Sequence, residues 1–236
     1  MNFSQITNNS NKYIINLNNE KLDDDENLLL LRTILLRVNN LVIKMDDYDK
    51  LEREYNISSL LNNCFGFMRY IIVFKNKSFS ETKGLIANIY YKNGSMYNYK
   101  WNSNNFTLFK SLLKQIFITL NQAFINHKFI HNKMHYNNIL LDKYDKNELT
   151  ICGYKINTFG YKIIITDYED YIIDNNYGVF YKDLIRLLNE IKTKLKLDVI
   201  NLDYLKNYID ILSKINRPMD IINILLLIDL LECIET

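Results

Sequence analysis

The 236-residue sequence predicts an α+β fold, with a small β-rich part to about residue 92 and a larger helical part after it. Three observations predict it. Short aliphatic runs bounded by polar residues punctuate the first part, at residues 41–45, 67–74 and 84–91. From residue 105 to 127, Phe106, Phe109, Leu113, Ile116, Leu120 and Phe124 recur at helical spacing. Further helices are predicted over 181–192, about 200–215 and 219–234, with Pro218 marking the break between the last two.

Taken in order, residues 1–27 are polar and Asn-rich, and the acidic cluster at 23–26 reads as a solvated turn or helix start rather than a binding tail. Residues 34–38 and 41–45 read as two strands joined by a tight turn at Asn39-Asn40, because Asn tolerates the positive φ such turns need. Residues 51–61, LEREYNISSLL, have helical spacing, with Leu51, Tyr55 or Ile57, and Leu60 or Leu61 on one side. The run GLIANIYY at 84–91 ends in the polar, Gly-containing KNGSM. After the long helix, Leu140, Leu141, the chain near Ile151, and residues 163–165 read as short strands.

Composition excludes several classes. About half the residues are apolar, enough for a sizeable core, as one two-lobed unit or two small domains. A net charge of +2 without a basic arm or stripe gives no footprint for nucleic acid. Cys64, Cys152 and Cys233 are far apart and odd in number, which argues against a disulfide framework or a zinc site; all three read as core, in a reducing compartment. The polar N-terminus, MNFSQITNNSNKY, is no signal peptide, and the most apolar run, at 221–231, contains Asn223 and Asp229 and is too short for a bilayer. The expectation is an intracellular, cytoplasmic protein with no membrane partner. Asn, Ile, Lys, Tyr and Leu crowd the chain and Ala is nearly absent, as in AT-rich coding, so Asn is filler as often as it is a cap or turn.

Residues 129–141, FIHNKMHYNNILL, carry the most chemical information. His131, then Asn138 followed by Ile139, Leu140 and Leu141, resembles the catalytic loop of the protein-kinase superfamily, H-x-D-x-x-x-x-N-I-L. Lys133 stands where that family has its catalytic Asp. The resemblance covers roughly residues 34–192. It implies a single domain over 1–236 with a two-lobed kinase fold, the N-lobe at about 1–92 and the C-lobe at 93–236.

The same resemblance assigns roles. In the run LVIKM, Lys44 takes the place of the phosphate-binding lysine, and Glu54 that of its helix partner, with Glu52 as the other candidate. Tyr90 and Tyr91 would offer backbone groups to an adenine. In YKIIITDYEDY, Asp167 takes the metal-binding Asp place, Tyr168 the Phe place and Glu169 the Gly place. Losing that Gly removes backbone freedom. The stretch before it, YKINTFGYKIIITD, is similar to kinase-like proteins of large DNA viruses, which carry a Thr-aromatic-Gly turn in a long insertion. Asp183 is placed like the Asp that ties the next helix to the loop. His131 and His135 have the H-x-x-x-H spacing of a metal site on a helix, but the loop resemblance accounts for both and makes His131 structural.

Phosphoryl transfer needs the phosphates held, the metal held and the nucleophile oriented. Lys44 and Glu54 would serve the first, and Asn138 and Asp167 would offer hard oxygens to Mg²⁺. The third is missing, and loss of a general base costs on the order of 10²–10⁴ in rate. Lys133 would compete with Mg²⁺, pair with a γ-phosphate, or bridge to Asp167. No glycine precedes Gly66, so no glycine-rich loop covers the phosphates, and residues 170–180 hold no Ser, Thr or A-P-E motif. The expectation is a catalytically impaired pseudokinase acting as a nucleotide-binding or protein-binding regulatory module, with ATP or ADP and Mg²⁺ or with no cofactor, and with a protein partner such as a host or viral kinase-pathway component. The alternatives are a divergent active phosphotransferase and a purely structural interaction protein with no nucleotide site.

Overall fold

The structure, a computed structural model, describes residues 4–5, 12–15, 41–75, 83–194, 202–214 and 221–229. The strand expected at 34–38, its Asn-Asn turn, the 23–26 cluster, Pro218 and Cys233 lie outside the described residues. The fold is mixed α and β with small antiparallel sheets. The chain divides into two compact units, one of residues 1–62 and 68–91, the other of 63–67 and 92–236.

The first unit is an antiparallel sheet with one helix. Strands β1 (Ser4–Gln5), β2 (Lys12–Ile15), β3 (Leu41–Asp47), β4 (Tyr70–Lys75) and β5 (Lys83–Ile89) are ordered β1-β2-β3-β5-β4. Helix α1 (Tyr48–Leu60) follows β3 directly and packs on β3, β4 and β5. It starts three residues before the predicted point. Leu51, Glu54, Ile57 and Ser58 are its buried residues, so a carboxylate sits inside the helix's buried stripe. The strand expected over 67–74 begins only at Tyr70. Phe67 instead belongs to the second unit, where it bridges to Ile165. Gly66 allows this approach: its φ is +75°, and a Cβ there would meet Thr119 at 3.2–3.3 Å.

The second unit is built on α2 (Phe106–His127), whose predicted apolar stripe is buried throughout. The helix ends at Lys128, in the left-handed region at φ 57°, and Lys128 N–H bonds Phe124 O at 2.8 Å. Three two-stranded antiparallel pairs pack around it: β6 (Phe129–Ile130) with β11 (Ile172–Ile173), β7 (Ile139–Lys143) with β10 (Tyr161–Ile165), and β8 (Glu148–Ile151) with β9 (Tyr154–Asn157). A polar row on α2 serves the strand ends: Gln115 accepts Ile163 N–H at 3.1 Å and donates to Tyr161 O at 3.2 Å, while Ser111 donates to Asn157 O.

The β8–β9 hairpin exceeds the single strand expected near Ile151. Its turn, Cys152-Gly153, has φ of 50° and 83°, the pattern of a primed hairpin turn. Cys152 is therefore exposed, which corrects its reading as core; Cys64 is buried as expected. Helices α3 (Tyr177–Lys194), α4 (Leu202–Lys214) and α5 (Ile221–Asp229) complete the described chain. Among the described residues no helix is long and apolar enough to cross a membrane.

Candidate functional site

In the first unit, Lys44 leaves β3 on the face opposite Leu41 and Ile43, since strand side chains alternate. Its ammonium donates to Glu54 Oε1, and Tyr70 O–H donates to Oε2 of the same carboxylate at 2.8 Å. Glu54 is fully buried and the Lys44 side chain is 13% exposed. The helix register selects Glu54, whereas Glu52 is on the exposed side and accepts from Tyr48 O–H at 2.8 Å. Tyr90 and Tyr91 directly follow β5 and are half-buried. Lys44 pairs with Ile86 across the sheet, so Tyr90 lies four residues along, about 13 Å at strand rise.

In the second unit, the segment 131–138 is irregular, with a short 3₁₀ turn at Tyr136–Asn138. It is not helical over 131–135, so the spacing argument for a zinc pair fails. His131 is fully buried, and its Nε2 lies 2.9 Å from Thr166 O. A carbonyl only accepts, so Nε2 carries the hydrogen. Burial holds the imidazole below its ordinary range and keeps it neutral.

That shift has a pH consequence. An unfolded His titrates near 6.5, so below that pH the unfolded chain binds the extra proton first. Stability is fully present above about 6.5 and falls as pH drops toward the folded value, by at most about 1.4 kcal/mol per pH unit. The expected result is a urea midpoint that declines below pH 6.5 in the wild type and declines less in His131→Gln. Parallel curves for the two proteins would remove His131 as the cause.

Asp183 of α3 accepts Asn132 N–H at 2.5 Å and Met134 N–H at 3.4 Å. Burial pushes its carboxyl up against the pull of these two hydrogen bonds. Two residues that the sequence reading missed extend the anchor. Arg186 donates to Asn132 O at 2.7 Å, and Glu190 accepts Tyr136 N–H at 3.1 Å. Their signal was present: 183, 186 and 190 follow helical i, i+3, i+7 spacing. One polar stripe of α3 thus holds the loop's backbone.

Asn138 and Asp167 flank the same end of the β7–β10 ladder, whose last pair is Ile139 with Ile165. Thr166 N–H bonds Asn138 O at 2.9 Å, fixing the two chain segments together. Asn138 is buried, and its amide nitrogen donates to Lys133 O at 3.3 Å, which leaves its oxygen as the end suited to a cation. Asp167 has φ 70°, whereas Glu169 is not among the residues with positive φ. The left-handed turn thus falls on Asp167, and Glu169 carries no left-handed strain.

Lys133 does not bridge to Asp167. Its ammonium lies 2.8 Å from both Glu169 Oε1 and Asp170 Oδ2. Its hydrogen bonds to these two carboxylates, Asp170 first, raise its pKa further. It stays protonated at neutral pH and has no lone pair with which to act as a base. Residues 158–161 form a tight turn: Phe159 and Gly160 have φ of 47° and 82°, and Tyr161 N–H closes it on Thr158 O at 3.0 Å.

No protein-family model matches the chain, and no curated protein matches it significantly.

Proposed function

We propose that this chain is a kinase-like protein of two-lobed type that has lost the catalytic base and serves as a nucleotide-binding or protein-binding regulatory module. The observation that carries this reading is the state of Lys133. In the catalytic loop's Asp place stands a cation fixed by two carboxylates, flanked by His131 and Asn138 at the spacing of that loop. The Lys44–Glu54 pair supports it, because a buried carboxylate holding a strand lysine is the arrangement kinases use on nucleotide phosphates. Asn138 and Asp167 are the residues that would hold Mg²⁺. Their amide and carboxylate oxygens suit a hard cation, which would neutralise phosphate charge. A protein partner is the remaining element of the reading.

The expected result of a transfer assay with γ-labelled ATP, Mg²⁺ and generic protein substrates is no incorporation above buffer. One observation favours the rival reading of a divergent active phosphotransferase: Lys133 binds Glu169 and Asp170 rather than Asp167. Positioning and a metal alone sustain some rate when the transition state is largely dissociative. Incorporation that disappears in Asp167→Ala would establish that rival and end the pseudokinase reading.

A further inference from the structure

The segment that carries Lys133 and the segment that carries Asp167 are joined along a continuous seam. Lys128 O accepts Asp174 N–H at 2.9 Å, and Ile130 and Phe129 pair with Ile172 and Ile173. His131 bonds Thr166 O, Asn132 Nδ2 donates to Asp170 O at 3.1 Å, and Lys133 bonds the side chains of Glu169 and Asp170. Asp167 sits inside this seam at φ 70°. An L residue keeps that conformation only where its neighbours over-determine it. Ahead of it, Thr166 is fixed through both its N–H and its carbonyl. Tyr168 is fully buried, with its hydroxyl on Ile165 O at 2.7 Å. Behind it, Glu169 and Asp170 are tied by Lys133.

We infer that Lys133 is a positioning residue, a latch that holds residues 166–174 in one conformation and sets the Asp167 carboxylate for a cation. The latch itself stands on the seam; its service to a cation rests on the function proposed above. The charge at 133 does not repel a metal in this arrangement. With Glu169 and Asp170 it forms a group of one positive and two negative formal charges, net −1.

The test is amide hydrogen exchange of the full chain without nucleotide, for wild type, Lys133→Met, Lys133→Arg and Asp170→Asn. The ion pairs are half-exposed, and each such pair is worth little singly. The expected rise in Lys133→Met is therefore about three- to tenfold at the Tyr171 and Asp174 amides. Asp170→Asn should show a smaller rise, and Lys133→Arg should match wild type. Amides in the middle of α2 should not change. Unchanged exchange at Tyr171 and Asp174 in Lys133→Met overturns the latch, as does an equal rise throughout the unit. If Lys133→Met fails to fold, Asp170→Asn and Glu169→Gln each remove one arm, and no rise in either overturns it. A Mg²⁺ titration in the presence of ATP then separates the two claims. Several-fold weaker Mg²⁺ binding by Lys133→Met supports positioning, and tighter binding overturns it. Absence of binding by the wild type defeats the proposed function and the positioning claim, while the exchange result still decides the latch.

Discussion

Replacing Lys44 by Met should destabilise the folded protein by about 3–5 kcal/mol, the range for removing one partner of a buried ion pair. The cause is what remains. Glu54 is fully buried in the α1 stripe among Leu51, Ile57 and Ser58, and both its oxygens are engaged, one by Lys44 and one by Tyr70. Deleting the cation leaves a carboxylate that water does not reach. The double variant Lys44→Met/Glu54→Leu removes both charges and fills the site with apolar volume, so most of the loss should return. Urea denaturation of the two variants beside wild type measures this. A single variant within about 1 kcal/mol of wild type would show that Glu54 finds another partner or solvent, and that the pair does not organise the helix.

The second large effect is expected at Asp183. Asp183→Ala deprives the Asn132 and Met134 backbone N–H groups of their acceptor and the Arg186 guanidinium of a neighbour at 3.5 Å. Hydrogen bonds to a charged group are worth about 1.5–3 kcal/mol, and buried donors left unmade add to that. The expected loss is on the order of 2–4 kcal/mol, offset in part because burying the carboxylate is itself unfavourable, as its raised pKa records. Asp183→Asn keeps one acceptor oxygen and should lose less. Equal stabilities for Asp183→Ala and wild type, by the same urea titration, would mean that α3 does not hold the loop.

These two anchors show what the sequence reading reached and why. Lys44 and Glu54 come from the resemblance to a kinase strand lysine and its helix partner, and the ion pair follows once α1 packs on the sheet carrying Lys44. His131 and Asn138 come from the resemblance to the catalytic loop and Asp183 from the resemblance of the following helix, and their backbone partners Thr166, Lys133, Asn132 and Met134 are the contacts that shape the loop. The partner of Lys133 was not reached. Glu169 and Asp170 lie 36 and 37 residues downstream, and pattern alone does not choose among Asp167, Glu169 and Asp170. The choice is made by the turn at Asp167, whose positive φ no residue type announced, since Asp adopts it less readily than Gly.

Local errors had local causes. The strand at 67–74 was read too long because Phe67 and Met68 are apolar, yet Gly66 turns the chain and sends Phe67 to Ile165. The β8–β9 hairpin was half-read because Cys152 is an unusual residue at positive φ and masked a Gly-containing turn. Tyr70 and Gln115 gave no signal at all. A tyrosine in a strand and a glutamine in an apolar helix acquire meaning only when packing places them against Glu54 and β10.

The proposed function rests on nucleotide binding through the Lys44–Glu54 pair. Its most direct test is thermal unfolding with ATP or ADP, with and without Mg²⁺, in wild type and in Lys44→Met/Glu54→Leu. A ligand at one hundred times its Kd adds about 2.7 kcal/mol to the folded state, on the order of 5–10 °C in Tm for a chain of this length. A Mg²⁺-dependent rise of that kind is expected in wild type and none in the double variant. No rise in wild type at millimolar nucleotide, or the same rise in both proteins, would contradict it.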